Sequence, residues 1–228
     1  MKKFTRKTLL GRLAVSAAGA LLALGAVPSL AGDTFETELT EIQQRWAEAN
    51  YQEHGKPQKK AFEALLQDAR DLASENPQRA EALIWQGIVA STYAGVKGPF
   101  GAMALAKEAR DALKTAEAID ASALDGSVYT SLGALYYKVP GGMIGFGDKN
   151  LAREYLMKAL EVNPDGIDSN YFYGEFMFEQ KQYEQARDAL LKAQQASPRP
   201  DRQLADQGRL NEVSALLGQV NEKLAKKS

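Results

Sequence analysis

The sequence predicts an all-α protein in which antiparallel helix pairs stack as an α-solenoid and a C-terminal helix caps the stack. Two observations support this prediction. Similar residues recur at a fixed offset along the second half of the chain, and such self-similarity is the signature of a repeat architecture. Apolar residues also follow helical spacing, and no segment alternates with the period of two that a half-buried strand requires.

The repeat is clearest between two stretches of the second half, which share four positions at an offset of 34 residues. The shared positions are Ala152, Leu156, Ala159 and Pro164 in one stretch and Ala186, Leu190, Ala193 and Pro198 in the other. Thirty-four residues is the length of the tetratricopeptide repeat (TPR), a helix-turn-helix unit. The sequence therefore predicts TPR-like helix pairs, arranged as a right-handed arc or a closed bundle.

The residue types at these positions have a packing reason. The first helix of three successive pairs carries a small residue, at Gly87, Gly133 and Gly174. A glycine there should let the second helix approach closely, while the alanines and the leucine of that helix fill the groove. The closing proline suits the first turn of the next helix, where its missing N–H leaves no hydrogen bond unmade.

The two ends of the array are less regular. Residues 34–50 and 57–75 each carry apolar side chains at helical spacing, with a turn at 54–57 between them. After Pro200 a last helical region is expected to run to about Lys226. Its polar outer side is what a capping helix needs.

Two Gly- and Pro-rich insertions, at about 94–103 and 139–148, separate the first and second helices of consecutive repeats. Stacked repeats place equivalent loops side by side, so we expect the apolar residues of the insertions to cluster and bind a partner. These residues are Pro99, Phe100, Met103, Pro140, Met143, Ile144 and Phe146. The alternative is that the loops fold back over the helix ends, which would leave no exposed apolar patch.

The second insertion is rich in glycine, but it does not predict a phosphate-binding loop. A P-loop requires G-x-x-x-x-G-K-[S/T] after a strand. Here Gly147 is followed by Asp148 and Lys149, and no strand precedes them. We expect Asp148 to act instead as the N-cap of the following helix.

Aromatic residues are dense on two predicted first helices, which line the concave face of TPR arrays. Core packing is the favoured interpretation of residues at helical spacing. The alternative is a groove for a peptide or a small apolar ligand. The candidate ligand-binding residues are Tyr136, Tyr137, Tyr173 and Phe176.

Residues 1–31 predict a cleaved secretory signal peptide, which leaves residues 32–228 as a single TPR-like domain. Five basic residues precede an apolar run at 13–27, and the small-x-small site Ser29-Leu30-Ala31 follows. Fifteen helical residues rise only about 22 Å, too short to cross the roughly 30 Å hydrocarbon core. We therefore expect cleavage after Ala31 and a periplasmic protein with no membrane span. The default route is general secretion, because a twin-arginine signal would need a second arginine beside Arg6.

The composition argues against several function classes. Removal of the five basic residues of the signal peptide leaves 23 Lys and Arg against 29 Asp and Glu, a net charge of −6. Such a balance argues against nucleic-acid binding. The chain has no cysteine and a single histidine, His54, so it offers no lipid-attachment site, no disulfide and no His/Cys zinc site. No nucleophile–base constellation can be named. We expect a non-enzymatic protein without metal or cofactor.

From about Leu83 to Leu217 the chain resembles the T component associated with TRAP-type transporters, a periplasmic TPR-like family. The stretches that carry the resemblance are Tyr136-Tyr137-Lys138-Val139-Pro140-Gly141-Gly142, Gly147-Asp148-Lys149-Asn150-Leu151-Ala152, and Asn163-Pro164 through Pro198. The resemblance implies association with a periplasmic solute-binding protein, homo-oligomers of three subunits, and a channel for apolar ligands. The chain departs from the family because it lacks a lipoprotein cysteine.

These observations lead to three functional hypotheses. The first is a periplasmic TPR-like adaptor that binds a protein partner, such as a transporter's solute-binding protein, through the two insertions. The second is a carrier of a small apolar ligand in a cavity lined by the aromatic first helices. The third is an envelope-assembly scaffold with no ligand.

Overall fold

The computed structural model describes residues 30–226 of the 228-residue chain. Residues 1–29 of the predicted signal peptide lie outside this range. The described part contains nine helices and confirms the expected all-α class. The helices are α1 (Leu30–Tyr51), α2 (Gly55–Glu75), α3 (Ala80–Lys97), α4 (Pro99–Ile119), α5 (Ala123–Lys138), α6 (Lys149–Val162), α7 (Ile167–Glu179), α8 (Tyr183–Gln194) and α9 (Gln203–Ala225).

Three helix pairs share the glycine–leucine contact that the sequence predicts. The facing residues are Gly87 and Leu113, Gly133 and Leu156, and Gly174 and Leu190. A Cβ atom on these glycines would lie 2.5, 2.6 and 2.8 Å, respectively, from Cγ of the facing leucine, closer than ordinary van der Waals contact. All three leucines are fully buried. The small residue is therefore what allows the two helices of each pair to pack so closely.

The first helices of the pairs form a closed ring. In chain order, α1 contacts α3, α3 contacts α5, α5 contacts α7, and α7 contacts α9. The ring closes because α9 also packs against α1. A Cβ atom on Gly208 of α9 would lie 2.5 Å from ring atoms of Tyr51 at the end of α1. Of the two arrangements expected from sequence, the closed bundle is therefore the one observed.

Helix α9 is more than a terminal cap. Its second half buries Val213, Leu217 and Val220 against α8 and presents a polar outer side, as expected. Its first half instead lies within the ring, where Asp206 and Arg209 are both only 8% exposed. Charged residues at these positions are inconsistent with a simple apolar cap, and they mark a polar site inside the ring.

The first insertion is mostly helical rather than a loop. Helix α3 continues to Lys97, and α4 begins directly after Gly98, which has a φ of 88°. Besides Gly98, Phe100 and Gly101 have non-helical backbone, which kinks α4 within its first turn. The extra residues therefore extend α3 and form a kinked start to α4.

The second insertion is a compact loop held by its own backbone. The amide of Gly147 donates to the carbonyl of Pro140 (3.0 Å), and the amide of Asp148 donates to that of Tyr136 (2.8 Å). A Cβ atom on Gly147 would lie 1.9 Å from the carbonyl oxygen of Val139, so only glycine fits there. Asp148 is the N-cap of α6, as predicted, and its carboxylate accepts from the amides of Asn150 (2.8 Å) and Leu151 (3.2 Å).

Buried apolar side chains form two clusters that meet at α5. One is built mainly from α1 to α5 and includes Phe62, Ile84 and Leu132. The other runs from α5 to α9 and includes Leu156 and Phe176. Among the described residues, none of the helices is both long enough and apolar enough to cross a membrane.

Candidate binding site: the ring cavity and its apolar rim

The ring of inner helices lines a half-open cavity of about 560 Å³, within the range typical of small-molecule sites. Each inner helix lines it with one stripe of residues. On α7 the stripe is Asp168, Tyr171, Phe172 and Glu175, at the spacing i, i+3, i+4, i+7 of one helix face. The cavity is therefore formed by the faces of the inner helices that point toward the ring axis.

Part of the cavity wall is apolar. It comes from α3, from the start of α4, from α5 and from the second insertion. Its members include Ile88, Ala102, Met103, Ala106, Leu135 and Val139. Such a surface would accept the hydrocarbon or aromatic body of a ligand.

Two tryptophans line the cavity beside this wall. The rings of Trp46 on α1 and Trp85 on α3 meet edge to face, with centroids 6.0 Å apart. Nε1 of Trp46 donates to Oγ1 of Thr92 at 3.1 Å. Nε1 of Trp85 is buried and has no hydrogen-bond partner among the described residues. Buried indole N–H groups usually find a partner, so Trp85 is an exception.

The remaining wall is charged, and Asp168 is at its centre. Its carboxylate accepts from Nη1 of Arg199 (2.8 Å) and from Nε of Arg209 (2.7 Å). Arg199 also pairs with Asp206 (2.6 Å), and Nη1 of Arg209 donates to Glu212 (2.5 Å). Burial alone would raise the pKa of Asp168, but the charges of Arg209 and Arg199 lower it to about 2.

This charged network also contacts α1. The hydroxyl of Tyr51 lies 3.5 Å from Oε2 of Glu212, and burial raises the pKa of Tyr51 to about 12. The guanidinium of Arg209 stacks on Tyr171 and Phe172, 4.4 and 4.6 Å from the ring centroids. Polar and cation–π contacts thus join α1, α7 and α9 where the ring closes.

Arg202 differs from the other two arginines of the wall. Its guanidinium lies over the ring of Trp85, 5.0 Å from the centroid. Nη1 makes one long hydrogen bond to Oε1 of Gln43 (3.4 Å), and Nε is buried without a partner among the described residues. Burial and the charge of Arg199 lower the pKa of Arg202.

A second cavity, of about 530 Å³, lies on the other side of the Asp168 cluster. The two cavities share Ser127, Thr130, Asp168 and Arg199. The ion pair of Asp168 and Arg199 therefore forms part of the boundary between them.

The two insertions meet at one rim of the first cavity, as their equivalent positions in the repeats predict. Met103 and Pro140 line the cavity. The side chain of Met103, in the first insertion, packs against Gly145, in the second. A Cβ atom on Gly145 would lie only 2.8 Å from Cε of Met103. In the same two insertions Phe100, Met143 and Ile144 are 92%, 105% and 76% exposed; we call these three residues the loop edge.

The base of the loop edge is packed rather than exposed. Phe146 is half-buried, with its ring edge to face with Tyr136 (5.8 Å) and the guanidinium of Arg110 above it (4.6 Å). Pro99 and Pro140 are exposed, whereas Met103 is half-buried. Both alternatives from the sequence therefore hold in part, because the tips of the insertions are exposed and their bases fold back.

The four aromatic residues predicted to bind a ligand do not line either cavity. Tyr137 and Phe176 are buried in the second cluster with ring centroids 5.5 Å apart, and the Tyr137 hydroxyl donates to Glu175. Tyr136 stacks on Tyr155 (5.6 Å), and Tyr173 packs against the second cluster. The aromatic residues of α7 that do line the cavity are Tyr171 and Phe172.

Sequence reasoning missed the tryptophans, Tyr171, Phe172 and the arginines of the cavity. One signal was available, because polar residues recur along one face of a predicted first helix. On α5, Ser127, Thr130, Ser131 and Lys138 lie at i, i+3, i+4 and i+11, which is one helix face. Among the described residues, no group of three or more His, Asp or Glu side chains could hold a metal ion.

Comparison with known proteins supports the fold. No protein-family model and no curated protein matches the sequence significantly. The crystal structure of TTC0263, a thermophilic TPR protein of Thermus thermophilus, aligns with a TM-score of 0.56 and 22% identity over 84% of this chain and 87% of that one. Two crystal structures of MamA align with TM-scores of 0.44 and 0.45, at 21% and 20% identity, over 75% and 86% of this chain and 94% of each. The likeness to TTC0263 shows that this chain has a TPR-like helical-repeat fold.

Proposed function

We propose that this protein is a non-enzymatic periplasmic adaptor that binds a protein partner through the loop edge. The observation that carries the proposal is the near-complete exposure of Phe100, Met143 and Ile144. Exposed large apolar side chains on two insertions that contact each other are characteristic of an interaction site. Apolar residues that merely covered helix ends would be buried.

The base of this surface favours recognition because it is rigid. Gly141 and Gly147 form an isolated bridge, and the Asp148 cap fixes the exit of the loop into α6. Below it, Phe146 and Tyr155 both pack against the ring of Tyr136. A surface held in this way loses little conformational entropy when a partner binds.

The charge beside the loop edge indicates the kind of partner. Nζ of Lys59 donates to the carbonyl of Lys97 (3.3 Å), and the Lys97 side chain lies beside the backbone of Gly101, next to Phe100. Arg110 lies over Phe146. These cations favour an acidic surface around an apolar contact. We propose a periplasmic solute-binding protein as the partner, in line with the resemblance to the T component.

The test is capture of partners from a periplasmic extract with residues 32–228 as bait. The variant Phe100→Ser/Met143→Ser/Ile144→Ser removes the loop edge without touching buried residues. The matched control is Ile119→Ser/Met157→Ser/Leu191→Ser, since these apolar residues are also exposed but lie away from the loop edge, at the C-terminal end of α4, on α6 and on α8. We expect one protein to be recovered with wild type and control and lost with the loop-edge variant. Equal recovery with all three baits would refute the proposal.

A second candidate function is supported by the cavity. The protein would carry a small ligand with an apolar body inside the ring. The test is binding of the neutral fluorophore N-phenyl-1-naphthylamine to wild type and to Ser131→Leu/Ala134→Leu, which places bulk on the cavity wall. Ser214→Leu, at an exposed position of α9, is the control. Binding that is lost only in the cavity variant supports carriage, and unchanged binding contradicts it.

A further inference from the structure

We propose that the ring cavity binds an organic anion, with its apolar body against the wall of α3, α4 and α5 and its anionic group held by Arg202. The inference rests on the second candidate function, because it assigns the chemical class of the ligand in the same cavity. Three features carry it: the unequal pairing of the arginines, the unsatisfied donors beside the cavity, and the division of the wall into an apolar and a cationic part.

The arginines of the cavity are paired unequally. Arg199 and Arg209 share Asp168, and each has a further carboxylate of its own, Asp206 or Glu212. Arg202, by contrast, has no carboxylate of the described residues within 4.0 Å. The charged wall thus carries one cation that no acidic side chain neutralises directly.

Arg202 is half-buried, and a guanidinium that loses part of its hydration without a paired carboxylate is held at a cost. Burial and the charge of Arg199 lower the pKa of Arg202, while the more distant charges of Asp168 and Asp206 act in the opposite direction. The only hydrogen bond of its guanidinium within the described residues, to Gln43, is long. An anionic ligand would supply the direct partner that the guanidinium lacks.

Two donors lie together here. Nε of Arg202 and Nε1 of Trp85 are both buried without a hydrogen-bond partner among residues 30–226. The two side chains are in contact, since the guanidinium lies 5.0 Å from the centroid of the Trp85 ring. Buried donors are rarely left unsatisfied, and two adjacent ones without an acceptor indicate a group that brings acceptor atoms.

The apolar part of the wall excludes a simple inorganic ion as the preferred ligand. Such an ion would leave Ile88, Leu135 and Val139 uncovered. A volume of about 560 Å³ also exceeds what a bare anion would fill. A carboxylate attached to a hydrocarbon or aromatic body matches both parts of the wall.

The experiment uses three probes with one apolar body and different head groups: octanoate, 1-octanol and octyltrimethylammonium. Their affinities for residues 32–228 are measured by isothermal titration calorimetry. Octanoate should bind roughly tenfold or more tightly than 1-octanol, because a hydrogen bond to a charged group contributes this much. Arg202→Met should abolish that preference and leave the affinity for 1-octanol unchanged.

The control variant is Arg45→Met. Arg45 does not line the cavity, and it is paired with Asp68 at 2.7 Å. We expect it to change the preference for octanoate by less than about twofold, since its charge is already compensated.

The possible outcomes separate this inference from the function on which it rests. Equal affinity for octanoate and 1-octanol, or a preference that survives in Arg202→Met, overturns the anion site but leaves a carrier of apolar ligands intact. If neither the three probes nor the neutral fluorophore binds, both the anion site and the carrier function are overturned.

A stability measurement tests whether the role of Arg202 is purely structural. Without ligand, Arg202→Met should unfold at the same or a higher urea concentration than wild type, because it removes an uncompensated charge and keeps the apolar contact with Trp85. A clear loss of stability would show that Arg202 holds the fold together, and the inference would fail.

Discussion

Arg209 of α9 donates through Nε to Oδ1 of Asp168 on α7 across 2.7 Å. Arg209 is only 8% exposed and also pairs with Glu212. This contact connects the last helix to the end of the repeat array, at the place where the ring closes on α1. It is therefore the polar counterpart of the close packing between Gly208 and Tyr51.

Replacing Arg209 should weaken the closure of the ring. We expect Arg209→Met to lower the free energy of unfolding by about 3 kcal/mol, because it leaves Glu212 and part of Asp168 without their cation in a buried site. The measurement is urea unfolding followed by circular dichroism. Arg187→Met removes the exposed pair with Asp188 (3.8 Å) and should change stability by less than about 0.5 kcal/mol. Similar effects of the two substitutions would contradict the structural role of Arg209.

The lowered pKa of Asp168 predicts a dependence of stability on pH. Its folded pKa of about 2 lies below the ordinary value of 3.8, so the ionised form stabilises the folded state. That contribution, about 2 kcal/mol, is complete above pH 4 and is lost as the pH falls toward 2.

The comparison that isolates this effect is wild type against Asp168→Asn. The difference in unfolding free energy should be largest between pH 5 and 7 and should shrink as the pH approaches 2. Urea unfolding at pH 7, 5, 4 and 3 measures it. A difference that stays constant with pH would mean that the Asp168 carboxylate is not responsible.

Two glycines of α9 should respond in opposite directions to alanine. Gly208→Ala places a methyl group 2.5 Å from the Tyr51 ring and should cost about 1–3 kcal/mol through overpacking. Gly218→Ala meets nothing within 4 Å and should stabilise the helix by about 0.5–1 kcal/mol. Chemical denaturation of both variants tests the close packing of α9 on α1. A gain in stability for Gly208→Ala would refute that packing.

The N-cap of α6 should matter both to stability and to the second insertion. Asp148→Ala removes the acceptor for two amides of the first turn and should cost about 1 kcal/mol. Asp148→Asn keeps a capping oxygen and should stay within about 0.5 kcal/mol of wild type. Thermal unfolding of the two variants distinguishes a cap from a general charge effect, since equal losses would point to the charge.

Much of the fold could be predicted from local pattern. The offset of 34 residues identified the helix pairs, and the glycines at 87, 133 and 174 do face leucines as expected. The Asp148 cap was also predictable, because capping involves residues only two or three positions apart. The largely helical form of the first insertion could not be predicted, since a Gly-Pro pair is a turn signal. Nothing local reveals that α3 continues up to this pair and that α4 begins, with a kink, directly after it.

By itself, the sequence determined the helical class, the repeat, the pairing within each repeat and the side-by-side placement of the two insertions. These depend on periodicities that are local in the chain. Only the tertiary structure decided that the ring closes and that Arg202 remains without a carboxylate. Those features depend on contacts such as Tyr51 with Glu212 and Gln43 with Arg202, which join residues 161 and 159 positions apart. No local pattern encodes such contacts, because they arise from the summed rotation between successive repeats.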